Sequence, residues 1–177
     1  MFDLNIRVLI VDDSATTRKI TRKYLTDLGF TKIDEAGDGA LGWSKIIGSH
    51  PPYSLVICDW HMPRISGLEL LKNVRTTNDT KSLSFVMVTG EQNKEEVLKA
   101  LKMGASGYIV KPFEPDILKK TLEKLPAIMI AESDISQLKL EEARQKKAAE
   151  AAEAAKMKLA EEAMRKTVEE MKKKSGA

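Results

Sequence analysis

Cysteine is almost missing from this chain: Cys58 is the single one in 177 residues. No disulfide framework can form, and a thiol inside an apolar run reads as a core side chain in a reducing compartment. Long hydrophobic runs are missing too. The opening stretch, MFDLNIRVLIVDD, has no basic segment ahead of a long apolar one. It reads as neither a signal peptide nor a membrane span, and a cytoplasmic setting is the expectation. Charge of one sign is also scarce. The 29 Lys and Arg against 26 Asp and Glu leave a net charge of only +3. No dense basic patch is interleaved with aromatics, which argues against a nucleic-acid partner. Finally, positions 132–174 hold no Gly, no Pro and no aromatic residue. The length therefore fits one ordinary domain, or a smaller domain with an appendage.

What is present is an alternation of short apolar runs with helical patterns over about the first 125 residues. Strands are expected at 6–11, 32–36, 54–59, 85–89 and 107–110. Helices are expected at 14–28, 39–47, 67–75, 93–103 and 115–125. The first helix carries Ile20, Tyr24, Leu25 and Leu28 at helical spacing, with Gly29 as its stop. Five such units predict an α/β domain: a five-stranded parallel sheet with helices on both faces.

Beyond Pro126 the composition turns to Ala, Glu, Lys and Met, all strong helix formers. The expectation is a domain over 1–126 followed by a helical extension over 127–177, roughly 60 Å long if about 40 residues form one helix. Met157, Met164 and Met171 recur every seven residues. Upstream, however, Ile135 and Leu138 would put Glu142 and Gln145 on the same seam. The coiled-coil pattern is thus thin, and the extension reads as a solvated helix, a helix for partner binding or self-association, or a partly disordered tail.

Three acids end two of the apolar runs. Asp12 and Asp13 follow 6–11, and Asp59 closes 54–59. In an open parallel sheet, ligands bind outside the carboxyl ends of the strands. If the two strands are neighbours, the acids converge and repel one another unless a cation joins them. A hard cation with oxygen ligands, Mg2+ above all, fits such a cluster. An acid after a strand can instead be a helix cap, and Asp13 or Ser14 could cap the next helix. Mg2+ commonly joins carboxylates to phosphate oxygens, and phosphoryl transfer needs little beyond alignment and charge neutralisation. Lys111, after the last strand, is placed as the second cation. Thr89, ending the fourth strand, is placed as a hydroxyl donor. Asp59 is then the candidate nucleophile, forming an aspartyl phosphate.

The pair Asp12-Asp13, the stretch Asp59-Trp60-His61-Met62-Pro63, Thr89-Gly90-Glu91, and Tyr108 with Lys111-Pro112-Phe113 resemble response-regulator receiver domains. The resemblance covers about residues 5–125. Gly67-Leu68-Glu69-Leu70-Leu71 and Gly104-Ala105-Ser106-Gly107-Tyr108 place it nearest the chemotaxis, CheY-like branch. It implies a flavodoxin-like sheet in the order 2-1-3-4-5, for which receivers are themselves the standing example. It also implies roles. Asp59 would take a phosphoryl group from a phosphohistidine of a sensor histidine kinase. Asp13, Asp59 and the His61 backbone carbonyl would bind Mg2+, with Asp12 acting through water. Lys111 would pair with the phosphate, and the Lys111–Pro112 peptide would be cis. Thr89 and Tyr108 would form the switch, and His61 and Glu91 would tune dephosphorylation. Self-phosphorylation and slow hydrolysis would be the only catalysis.

The implied output is partner binding in chemotaxis, with the flagellar motor switch or a phosphatase as candidate partners. A phosphate sink, or a scaffold docking a kinase through the tail, is the second reading. A Mg2+-dependent small-molecule phosphatase is the third, and it usually needs a carboxylate where this chain has His61. Three departures from the family pattern stand out. His61 replaces a common Asn, which bears on phosphoryl lifetime. Ser66 replaces an acid and is expected to cap the third helix. A long tail, which does not read as a DNA-binding domain, follows the fifth helix, where CheY-like regulators usually end, and this bears on the partner. Trp43 is expected to pack rather than bind.

Overall fold

The computed structural model describes residues 1–90 and 94–125, with Arg144, Lys147, Glu153, Lys156 and Met157 beyond them. The elements run β1 (Val8–Val11), α1 (Ala15–Asp27), β2 (Ile33–Ala36), α2 (Gly39–Gly48) and β3 (Leu55–Asp59). They continue with α3 (Gly67–Thr76), β4 (Ser84–Thr89), α4 (Lys94–Lys102), β5 (Gly107–Val110) and α5 (Pro115–Leu122). The strands form one parallel sheet in the order β2-β1-β3-β4-β5. This is the expected α/β architecture.

Helices on both faces leave the central strands no polar side. The runs VLIV, LVICD and SFVMVT are accordingly buried at every position. Only the edge strand β2 tolerates Asp34 and Glu35 half-buried in its middle. Alternation along each strand splits the core in two. Val8, Ile10, Ile57, Val86 and Val88 meet Leu25 of α1 and Leu118 and Leu122 of α5. Leu9, Val11, Val56, Phe85 and Met87 meet Ile46 of α2, Leu70, Leu71 and Val74 of α3, and Ala100 of α4. Each such Leu or Val, fully buried, stabilises the fold by about 1.5–3 kcal/mol relative to exposure. Trp43 packs against the second cluster, as expected.

Local signals fix the helix starts. Ser14 caps α1, accepting from the Thr17 N–H, and Asp38 caps α2, accepting from the Leu41 N–H. Ser66 and Glu69 form a full capping box on α3, the role expected of Ser66. Gly29 follows α1 with φ of 98°, a left-handed turn that a side chain would resist. Some boundaries differ from expectation by one to three residues. β1 starts at Val8, where pairing with both Ile33 and Leu55 begins. α5 stops at Leu122, beyond which the Leu125 N–H turns back to the Leu122 carbonyl.

The chain falls into two compact units, Met1–Met129 and Ile130–Ala177. In the second, Arg144, Lys147, Glu153, Lys156 and Met157 are helical. The rest of the expected Met seam, Met164 and Met171, lies outside the described residues, as does Glu91. Among the described residues, no helix is long and apolar enough to cross a membrane.

Candidate functional site

All five strands point the same way, so their carboxyl ends share one edge. β1 and β3 are direct neighbours, in register from Val8↔Leu55 to Val11↔Cys58. The residues that follow therefore emerge side by side. Asp12 leaves β1 with its N–H still bonded to the Ala36 carbonyl at 3.1 Å. Asp59 is the last residue of β3, paired with Val88. Thr89 ends β4 with no exposed surface, and its carbonyl accepts from the Lys111 N–H at 2.7 Å. The Lys111–Pro112 peptide is cis. Four neighbouring strand ends thus carry Asp12 and Asp13, Asp59, Thr89 and Lys111 to one edge of the sheet.

The acids form a real cluster. Asp12, Asp13 and Asp59 each offer a carboxylate oxygen, all within 4.8 Å of one another. Asp12 and Asp59 are 3% and 6% exposed, whereas Asp13 is exposed. Lys111 Nζ reaches into the cluster, 2.7 Å from Asp12 Oδ2 and 2.6 Å from Asp59 Oδ1. The other Asp12 oxygen accepts from the Ser14 N–H at 2.8 Å. Burial pushes the Asp59 carboxyl up from its ordinary range, and Asp12 and Asp13 add to this. The Lys111 ammonium opposes it without cancelling it. Burial pulls Lys111 down, but the two carboxylates outweigh it and its ammonium is held above its ordinary value. Cys58, one residue earlier, is fully buried and its thiol is pushed far up. It is a core side chain, as expected, and no nucleophile.

This donor set suits a hard divalent cation: oxygen atoms only, two of them desolvated, on three converging carboxylates. Among the described residues no hydrogen bond reaches the Asp13 carboxylate, so its oxygens are available as ligands. The residues present therefore fit Mg2+.

The loop between β3 and α3 frames the site from one side. Gly67 opens α3, and its N–H bonds the Trp60 carbonyl at 2.9 Å. A Cβ on Gly67 would lie 2.1 Å from the Asp59 carbonyl oxygen, so only glycine allows α3 to start this close to the acid. His61 is exposed in this loop, its ring centred 6.3 Å from that of Trp60. Tyr108 is half-buried on β5 and packs against the α2–α3–α4 side of the core.

Sequence reasoning missed two long-range ties. Arg64, which has a φ of 71°, pairs with the buried carboxylate of Asp38 and so links the β3–α3 loop to the start of α2. Arg18 of α1 donates to the Asp12 carbonyl at 2.8 Å. Neither has a local motif. For Arg18, the only signal is its helical position, which faces β2 once the strand order is known.

Comparison with known proteins agrees with this geometry. The chain matches the family described as "Response regulator receiver domain" over residues 8–123. It is 42% identical over 118 residues to the chemotaxis protein CheY1 of Helicobacter pylori, spanning 67% of this chain and 94% of that one. It is 40% identical over 121 residues to CheY-3 of Vibrio cholerae, spanning 68% and 92%. Among solved structures, the chemotaxis response regulator CheY4 of Vibrio cholerae superposes with a TM-score of 0.62 at 33% identity, covering 68% of this chain and 98% of that one. A CheY-like receiver from Methanospirillum hungatei gives 0.60 at 32% identity, covering 68% and 93%. An acid cluster at the carboxyl edge of a 2-1-3-4-5 sheet, with family-wide similarity along the same residues, makes this chain a member of the response-regulator receiver family and a protein of two-component signalling.

Proposed function

We propose that this protein is a phosphorylation-switched receiver whose phosphoacceptor is Asp59, and that its donor is a phosphohistidine on a sensor histidine kinase. The observation that carries the reading is the Lys111 ammonium, seated between Asp59 and Asp12 at the mouth of an acid cluster. An Asp59 oxygen attacks phosphorus, the bond from phosphorus to the donor imidazole breaks, and the imidazole leaves with the electron pair and is protonated by solvent. Asp13 and Asp59 would hold Mg2+ with the His61 backbone carbonyl, and Asp12 through a water. Bound there, the ion would neutralise charge building on the phosphoryl oxygens. Lys111 supplies the second positive charge, exchanging a carboxylate contact for a phosphoryl one. Burial raises the Asp59 carboxyl above its ordinary range, and cations at the site favour its ionised, nucleophilic form.

The output is a change of binding face. Thr89 ends β4 and Tyr108 lies on the adjacent β5, so a hydroxyl drawn toward the phosphoryl group would free space for the Tyr108 ring to turn inward. The surface formed by α4, β5 and α5 would then change, a local charge event biasing a two-state element. The likeness to chemotaxis receivers supports an output in chemotaxis, with the flagellar motor switch as partner. The receiver would comprise 1–126, with 127–177 serving partner binding or self-association rather than the chemistry. Position 61 holds an exposed imidazole and no carboxylate, which disfavours small-molecule phosphatase chemistry.

The test is mass spectrometry of the intact protein after incubation with a small phosphodonor and Mg2+. Wild type gains one acid-labile phosphoryl group and Asp59→Asn gains none. A mutant that still gains one would show that another acid is the acceptor.

A further inference from the structure

Asp13 differs from its two neighbours in how it is held. Asp12 is fixed by the Ser14 N–H and by Lys111, and Asp59 by Lys111. Among the described residues no hydrogen bond reaches the Asp13 carboxylate, so its direction depends on its backbone. That backbone is gripped from behind. Arg18, one turn into α1, donates from Nη1 to the Asp12 carbonyl at 2.8 Å and to the Asp13 carbonyl at 3.4 Å. The same guanidinium donates from Nε to Glu35 Oε2 on β2 at 3.1 Å. Glu35 is in turn braced by Arg22, which also donates to the Ile33 carbonyl at 2.9 Å. The fork thus spans from the edge strand to the loop, with the Arg18 side chain 19% exposed.

A positive charge this close to a cation site carries a cost, because it repels the ion that the acids attract. Glu35 answers it by pairing with the guanidinium. We propose that Arg18 is a positioning residue for the cation site: it fixes the Asp12–Asp13 peptide so that the Asp13 carboxylate faces Asp59, while Glu35 neutralises the charge that this grip introduces. The proposal rests on the reading of the acid cluster as a Mg2+ site. Lysine could not replace Arg18, since one ammonium lacks the planar fork that reaches a carbonyl and a carboxylate at once.

Mg2+ titration of the full chain tests it, read by tryptophan fluorescence, since Trp60 adjoins Asp59, and by calorimetry. Outer-shell contacts of metal ligands are typically worth ten- to a hundredfold in affinity. Arg18→Met is expected to weaken Mg2+ binding about tenfold, near the lower end of that range. Arg18→Lys should not restore it. Glu35→Gln should also weaken binding, with a loss that shrinks in part as salt screens the half-buried guanidinium. On an Asp13→Asn background, Arg18→Met should have no further effect, whereas a general loss of stability would persist there. Urea melts in EDTA establish that each variant is folded, and if Arg18→Met is not, Arg18→Lys and Glu35→Gln carry the test. Wild-type binding with the Arg18 variants within twofold of it would overturn the positioning role alone. So would an equal loss with and without Asp13. A wild type that ignores Mg2+ would overturn the cation site itself and this inference with it.

Discussion

Lys111→Met should expose how much of the fold's stability the acid cluster consumes. Among the described residues, Lys111 is the only cation ion-paired with Asp12 or Asp59, whose side chains are 5% and 8% exposed. Methionine keeps much of the apolar stem and removes the ammonium, leaving two desolvated carboxylates beside a third. Removing one partner of a buried pair costs about 3–5 kcal/mol, because the remaining charge is uncompensated. Lys111 itself is 24% exposed, so water reaches the site and the lower end, about 3 kcal/mol, is expected. That is a large part of a domain stability of about 5–15 kcal/mol. Mg2+ should reverse much of it. The mutant lacks a competing cation, so it should bind Mg2+ more tightly than wild type. Binding to the native state alone adds about 2.7 kcal/mol at one hundred times the dissociation constant. Urea melts of both proteins at neutral pH, in EDTA and in excess Mg2+, measure this directly. A penalty below about 1 kcal/mol in EDTA, the value of an exposed pair, would refute the reasoning. So would a penalty that Mg2+ leaves unchanged.

Three further outcomes are expected. His61→Asn should speed loss of the phosphoryl group, since a smaller side chain two residues past Asp59 opens the path for water. A barrier change of about 1.4 kcal/mol is tenfold in rate, and an equal or slower decay would contradict this. Burial pushes Tyr53 up to about 12, with the Asp34 carboxylate adding to it. Its folded pKa lies above the ordinary 10.0, so its contribution is complete below that value and is lost as pH rises toward 12. The stability gap between wild type and Tyr53→Phe should therefore narrow across that window, and a gap that widens would be the wrong sign. Truncation to 1–126 should leave a cooperative thermal melt and an unchanged phosphorylation rate, and loss of either would make the tail part of the receiver.

The order of elements was legible because buried parallel strands read as continuous apolar runs and because α1, α2 and α3 each start on a capping side chain. Ser14 and Ser66 are examples, the second with its capping box. The acids, Thr89 and Lys111 were legible because strand direction alone brings their ends to one edge. Bare periodicity could not supply which strands are neighbours, and the order 2-1-3-4-5 came from family resemblance. Arg18 and the Asp38–Arg64 pair escaped notice because each joins segments whose proximity exists only after the sheet closes. Neither residue type is unusual at its position. The tail's thin Met seam offers no tertiary signal of that kind.

If the proposed chemistry holds, Asp59, and not its two acidic neighbours, forms the acyl phosphate. Borohydride reduces an aspartyl phosphate to homoserine, so the acceptor can be read by peptide mass mapping after phosphorylation by a small phosphodonor. Homoserine is expected at position 59 alone, formed only when Mg2+ is present. Homoserine at position 12 or 13, or at 59 with equal yield in EDTA, would contradict it.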